Sequence, residues 1–138
     1  MNGMKIMRGK NDVQKQQMTP AEETVMLCLW ESGEDLTVYE LTERLNQLYG
    51  KDYSNNVVAT FMKNLLKKGL VSRYKTHHSH QWRPELDMEE YRRQKLDGFA
   101  KQWYHGSGVS MMASFVETRD ISKEDFLKMK ELLDEHMD

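Results

Sequence analysis

The chain has 138 residues and a formal net charge of −2, which allows one ordinary domain, or a domain of about 80 residues with a smaller appendage, and excludes a large multidomain enzyme. A single cysteine, Cys28, excludes an internal disulfide and a zinc site built from thiolates, and its apolar neighbours predict a buried thiol. No apolar run is long enough to cross a bilayer, and residues 1–17 lack the apolar centre of a signal peptide. We therefore expect a cytoplasmic protein without membrane insertion.

Charge is unevenly distributed along the chain. Between Lys51 and Arg83 there are seven Lys and Arg residues and one acid, Asp52, whereas from Asp87 onward there are eight basic residues and twelve acids. Because physiological salt limits the reach of a charge to about 8 to 10 Å, the local excess governs phosphate binding. The basic middle of the chain thus predicts contact with nucleic acid despite the negative total.

The first two predicted helices share one N-terminal signal, a Thr followed three residues later by a Glu. In the first helix the signal is Thr19 with Glu22, and Gly33 ends the helix. In the second the signal is Thr37 with Glu40, and Gly50 ends the helix. The preceding residues 1–17 are polar and without apolar periodicity, so they are expected to form a disordered N-terminal extension.

A third helix is predicted from the cap residue Ser54 to Lys68, with Gly69 as its stop. Its apolar side chains recur at three- and four-residue spacing and should face the core; they are Val58, Phe61, Met62 and Leu65. The opposite side carries no acid and displays Asn56, Thr60, Lys63 and Lys67, with Asn64 at its edge. Such donors suit base edges in the major groove, although Asn, Thr and Lys are also common on plain solvated helices.

After Gly69 the apolar period changes from 3.6 to 2, which predicts a β-hairpin whose second strand closes at Pro84. Three helices followed by a hairpin predict a winged helix-turn-helix over residues 18–86. Arg73 and Lys75 lie on the same side of the first strand, as expected of a wing that follows the phosphate backbone or enters the minor groove. Charged residues can also simply protect an edge strand from aggregation.

The predicted DNA-binding residues combine the exposed side of the third helix with the wing. Asn side chains can pair with adenine, and Lys can reach guanine or phosphate. The full set is Ser54, Asn55, Asn56, Val57, Thr60, Lys63, Asn64, Lys67, Arg73, Lys75 and His78.

Three histidines near the hairpin turn, His77, His78 and His80, raise the alternative of a metal-responsive regulator. No carboxylate or thiolate lies close to them in sequence, so solvated turn residues are the favoured interpretation, and neither a metal nor another cofactor is predicted. The chain also lacks a nucleophile elbow, a phosphate-binding loop and a His-Glu-x-x-His metal helix. We therefore do not expect an enzyme.

The C-terminal residues 87–138 are predicted to be helical, with a break at His105–Gly108 and a last helix capped by Ser122. About 50 residues cannot bury so many aromatic and aliphatic side chains alone, which predicts a helical dimerisation domain. The predicted dimerisation residues are Tyr91, Phe99, Trp103, Val109, Met112, Phe115, Phe126 and Leu133. The expected fold class is mostly α, with the hairpin as its β part.

Four stretches carry a resemblance to a known family: the run from Thr19-Pro-Ala-Glu to Leu29-Trp30, Thr37-Val-Tyr-Glu-Leu41, Ser54 through Thr60 to Lys67-Lys-Gly-Leu-Val71, and Arg73-Tyr-Lys75. Over about residues 19–136 the chain resembles the BlaI/MecI penicillinase-repressor family, whose copper-responsive branch is CopY. The resemblance implies a winged-helix homodimer that blocks transcription from a palindromic operator of a resistance or stress-response operon. It also implies an inducing sensor protease that leads to cleavage inside the dimerisation region.

The chain departs from the family pattern at several positions. Val57, Ala59 and Asn64 stand where the family often has Thr and Arg, so a different operator sequence is expected. The family's scissile Asn-Phe bond corresponds to Ser114–Phe115, the candidate cleavage site in this chain. The cysteine pairs of the copper-responsive branch are absent. A winged helix that binds a protein instead of DNA is a further alternative.

Overall fold

The computed structural model describes residues 17–137 and contains, within them, six helices and one two-stranded antiparallel sheet. In chain order the elements are α1 Pro20–Ser32, α2 Val38–Leu48, α3 Asn55–Lys67, β1 Val71–Thr76, β2 Ser79–Pro84, α4 Met88–Trp103, α5 Gly108–Thr118 and α6 Lys123–His136. The predicted fold class is confirmed. Residues 1–16, nearly all of the predicted extension, lie outside the described residues.

The predicted helix signals form as hydrogen-bonded caps. Thr19 Oγ1 accepts from the Glu22 backbone N–H at 3.1 Å, while the Glu22 carboxylate accepts from the Thr19 N–H at 2.9 Å. The same reciprocal pair forms between Thr37 and Glu40, at 3.2 and 2.9 Å. Gly69 follows α3 with a φ of 76°, a left-handed conformation that turns the chain sharply into β1.

The chain divides into two compact units, one ending at Tyr91 and the other beginning at Arg92. In the first unit, α1, α2 and α3 bury their apolar faces together and β1 and β2 close one side. The core side chains are Met18, Val25, Met26, Cys28, Leu29, Leu36, Leu41, Leu45, Val58, Met62, Leu65, Leu70, Val71, Trp82 and Leu86. None of the helices in the described residues is long and apolar enough to span a membrane.

The hairpin is joined to the segment between α1 and α2. Its own register pairs Arg73 with Trp82 and Lys75 with His80, across a two-residue turn. At the edge of β2 that is not paired with β1, Leu36 and Trp82 exchange two backbone hydrogen bonds of 3.1 and 2.7 Å. This extra bridge ties the wing to the segment between α1 and α2, and the sequence pattern did not predict it.

Aromatic contacts fix the start of α4 to α1. The Trp30 indole donates to the Leu86 carbonyl at 2.8 Å, and the rings of Trp30 and Tyr91 lie 5.7 Å apart between centroids. The Tyr91 hydroxyl donates to the Glu23 carboxylate. Tyr91, one of the predicted dimerisation residues, therefore packs within the first unit and is partly covered by its own chain.

Cys28 has one percent of its surface exposed and lies in this core. Burial raises the pKa of its thiol to about 11, and the thiolate is the reactive form. We expect an aromatic disulfide reagent to modify native protein only at the rate of unfolding, but to label one thiol per chain at once in denaturant. Rapid stoichiometric labelling of the native protein would contradict this assignment.

The second unit consists of the rest of α4 with α5 and α6. Among its described residues only Ala100 is buried. Many of its large apolar side chains are exposed instead, namely Leu96, Phe99, Trp103, Val109, Met112, Phe115, Phe126, Leu127, Leu132, Leu133 and Met137. A unit with this distribution has little core of its own, because hydrophobic stabilisation requires apolar surface to leave water.

Candidate nucleic-acid interface

Helix α3 is anchored by its apolar face. Val58, Met62 and Leu65 are fully buried, and Phe61 is half-buried with its ring centroid 5.4 Å from that of Tyr53. Burial of this stripe fixes the rotation of the helix about its axis. The opposite side is therefore held in solvent, as the sequence predicted.

We call the exposed side of α3 the reading face, defined by Asn56, Val57, Thr60, Lys63, Asn64 and Lys67, all of which are exposed. Ser54 and Asn55, at the start of the helix, are exposed as well. The Ser54 hydroxyl oxygen caps the helix by accepting from the Val57 N–H at 3.2 Å. Helix α3 has no acid in its first turn, so the positive end of its dipole is not neutralised there.

The wing carries three of the predicted residues, Arg73, Lys75 and His78, and each is exposed. The Arg73 guanidinium lies 5.4 Å from the centre of the Trp82 ring, the residue opposite it in the hairpin. This cation–π contact restricts the Arg73 side chain without neutralising its charge.

The reading face and the wing meet at a groove of about 280 Å³. Lys63 lines it from α3, Arg73 and His78 from the hairpin, and the first residues of α2 close the third side. The complete lining is Thr37, Val38, Tyr39, Ala59, Lys63, Arg73, His78, Ser79, His80 and Trp82. Basic side chains distant in sequence are thus brought to one side of the unit.

The sequence prediction missed the contribution of α2 to this groove. Tyr39, which is largely exposed, and the N-terminal Thr37 and Val38 lie beside the predicted residues. The sequence did contain a signal for it, because the capping pair Thr37–Glu40 marks the N-terminus of α2, the helix that precedes α3. The capping pair occupies the Thr37 and Glu40 N–H groups, and the backbone N–H groups of Val38 and Tyr39 between them suit phosphate oxygens.

Two of the seven basic residues of the middle segment are engaged by acids. Lys68 Nζ lies 2.5 Å from the Glu22 carboxylate, and its side chain also donates to the Gln17 carbonyl at 3.1 Å. Arg83 contacts Asp35 at 3.1 Å. The local charge excess available on the surface is therefore smaller than the sequence count.

Asp35 links the hairpin to the segment before α2. Its carboxylate accepts from the Tyr74 hydroxyl and from Arg83 Nε and Nη2 at 3.3 and 3.1 Å, while the guanidinium stacks 5.0 Å from the Tyr74 ring centre. The hydrogen bond from Tyr74, followed by that from Arg83, holds the pKa of Asp35 below its usual value. The arrangement positions the wing, because one carboxylate binds a residue from each strand.

The histidines do not assemble a metal site. His77 and His78 form the hairpin turn and His80 is exposed in β2. Within residues 17–137 there is no group of three His, Cys, Asp or Glu side chains arranged to hold a metal ion. His77 adopts a φ of 51°, which fits a tight two-residue turn.

The candidate cleavage bond, Ser114–Phe115, lies inside α5. The Ser114 carbonyl accepts a hydrogen bond from Thr118 Oγ1 at 2.7 Å, and the Arg119 guanidinium lies 5.0 Å from the Phe115 ring centre. A protease that binds an extended substrate would have to unwind this helix locally before it could cut.

The chain is similar to known repressors over most of its length. A family model described as Penicillinase repressor matches residues 18–135. The Penicillinase repressor of Bacillus licheniformis is 26% identical over 120 residues, which cover 87% of this chain and 91% of that protein. Methicillin resistance regulatory protein MecI is 25% identical in Staphylococcus aureus strain N315 and 24% in Mammaliicoccus sciuri, each over 83 residues, 60% of this chain and 68% of the relative. The chain, with its winged-helix unit and helical C-terminal unit, belongs to the penicillinase repressor family and is a transcriptional repressor.

Proposed function

We propose that this repressor acts as a homodimer that binds a palindromic operator sequence-specifically, with α3 in the major groove and the hairpin wing on the adjacent backbone. The observation that supports this proposal is that the reading face, which has no acid, lies beside a basic wing. The groove lined by Lys63 and Arg73 connects the two surfaces. An exposed helix with donors and acceptors suits base edges, and an adjoining cationic surface suits phosphates.

The residues divide into two roles under this proposal. Asn56 and Asn64 contact base edges, where their amides can pair with adenine. Arg73 and Lys75 bind phosphates and position the helix. The remaining members of the proposed interface are Ser54, Asn55, Val57, Thr60, Lys63, Lys67 and His78.

Dimerisation is proposed for the second unit. Seven of the eight predicted dimerisation residues, all except Tyr91, lie in this unit and are each at least 44% exposed; among the described residues of the unit only Ala100 is buried. A second copy of the chain would supply the missing apolar contacts. Two identical chains related by a two-fold axis then match a DNA site with the same symmetry.

The names of the relatives favour an antibiotic-resistance operon as the regulated target. Operator binding would make the cytoplasm the place of action. For induction, we propose that a sensor protease leads to cleavage at Ser114–Phe115 after local unwinding of α5.

The interface assignment predicts different effects for a base contact and a phosphate contact. Asn56→Ala should weaken binding to a selected operator about tenfold and leave binding to random DNA unchanged, since it removes a base contact. Lys75→Ala should weaken binding to both and lower the slope of log K against log salt by about 1. Fluorescence anisotropy between about 50 and 200 mM salt measures both effects.

Lys101→Ala is the matched charge control, because Lys101 lies in α4 and pairs with Asp97 at 2.9 Å. It should change neither affinity nor salt slope. If the Asn56 and Lys75 variants were indistinguishable on all DNA, the division of roles would be wrong. Absence of any DNA binding at low salt would instead favour a protein-interaction module.

A further inference from the structure

Val57 is the one large apolar side chain of α3 that is exposed to solvent, with 42% of its surface accessible. It lies in the first turn of the helix, on the reading face. Valine is a weaker helix former than alanine or leucine, because its branched Cβ restricts χ1. Neither core packing nor helix stability therefore accounts for a valine at this position.

Two polar groups near Val57 are occupied inside the helix. The Val57 N–H donates to Ser54 Oγ at 3.2 Å, and the Thr60 hydroxyl donates to the Asn56 carbonyl at 3.0 Å. Val57 and Thr60 are three residues apart and so lie on neighbouring positions of one side of the helix. With its hydroxyl proton bound, Thr60 presents a methyl group and oxygen lone pairs. This corner of the reading face thus offers three methyl groups, and the Thr60 hydroxyl proton is not available to a base.

The major groove contains one matching feature among the four bases, the 5-methyl group of thymine, which apolar side chains contact. The first turns of a recognition helix are the part that meets base edges. We propose that Val57, together with the Thr60 methyl, recognises a thymine in each half-site by its 5-methyl group. This inference rests on the proposed operator binding.

The test removes only that methyl group from DNA. Full-length protein first selects a duplex from a randomised pool of about 30 base pairs, long enough for two half-sites. The selected duplex is then resynthesised several times. In each version deoxyuridine replaces one thymine in the first half-site and the symmetry-equivalent thymine in the second. Uracil keeps the Watson–Crick pairing and the O4 acceptor, so any change in affinity reports the methyl group.

We expect one such thymine at which deoxyuridine weakens wild-type binding about fourfold for each methyl removed from the interface. Val57→Ala should weaken binding to the thymine duplex and lower the ratio between the two duplexes, because only the Thr60 methyl then remains to contact the thymine. Asn56→Ala is the control on the same face, and it should weaken binding while keeping the wild-type ratio between the two duplexes. Because Val57 is exposed and alanine favours helices, the variant should fold like the wild type.

Equal wild-type affinity for thymine and deoxyuridine at every position would overturn the proposal and leave operator binding intact. Retention of the full ratio by Val57→Ala would also overturn it, since another residue would then contact the methyl group. If the pool yielded no enriched duplex, the proposed operator binding would fail and this inference with it.

Discussion

Val109→Glu combined with Leu133→Glu should convert the protein to a monomer and weaken operator binding by at least about 100-fold. Val109 is 83% exposed and Leu133 63% exposed, so neither side chain contributes much to the folding of its own chain. Val109 lies in the first turn of α5, where a carboxylate is compatible with the helix dipole. The loss therefore arises between chains, where two charges would have to be buried in an apolar contact. A monomer contacts one half-site and loses the effective concentration that links two.

Sedimentation velocity at micromolar concentration and anisotropy on operator duplexes measure the two effects. Leu48→Glu is the matched control, because Leu48 is 68% exposed on a helix of the first unit. It replaces one exposed apolar side chain by a carboxylate, as each of the two substitutions does, and should leave the dimer intact. A double variant that remained dimeric would show that the exposed apolar faces of the second unit do not form the interface.

Lys68→Met should lower the free energy of unfolding by about 2 to 3 kcal/mol at neutral pH. Glu22 is 3% exposed and its carboxylate lies 2.5 Å from Lys68 Nζ, so the variant leaves a buried charge without its cation. The effect should be smaller than the loss of a fully buried pair, because the Lys68 side chain keeps 29% of its surface in water. Urea denaturation followed by far-ultraviolet circular dichroism measures the difference.

The effect should depend on pH in a defined direction. Burial raises the pKa of Glu22, but the hydrogen bonds from Lys68 and Thr19 outweigh it and hold the pKa below the usual 4.5. The pair therefore stabilises the protein above about pH 4.5, and this contribution is lost as the pH falls through the lowered pKa. The difference between wild type and Lys68→Met should shrink in acid. A difference that grew in acid would contradict the role assigned to the pair.

Glu22→Gln with Lys68→Met provides the matched control. Glutamine can still accept the hydrogen bond from Thr19 in the helix cap and carries no charge, so the double variant should recover most of the stability lost in Lys68→Met. If it were less stable than the single variant, the loss would come from packing of the Lys68 chain instead.

Local signals predicted the winged-helix unit closely. The Thr-x-x-Glu caps of α1 and α2, the Ser54 cap and the Gly69 stop act between residues within one helical turn, so they are readable without a tertiary structure. The change of period at Gly69 located the hairpin for the same reason. The reading face followed from the rotation of α3, because buried residues at three- and four-residue spacing define the opposite side.

The sequence by itself determined the type and order of the elements, the basic character of the middle segment and the resemblance to a repressor family. Only the tertiary structure decided which charges remain available, since Glu22 meets Lys68 across 46 residues and Asp35 meets Arg83 across 48. It also decided that Tyr91 packs on Trp30 and that α2 completes the groove beside the wing. The physical reason is that caps and periodicity depend on near neighbours along the chain, whereas ion pairs and aromatic contacts depend on how the packed elements bring distant residues together.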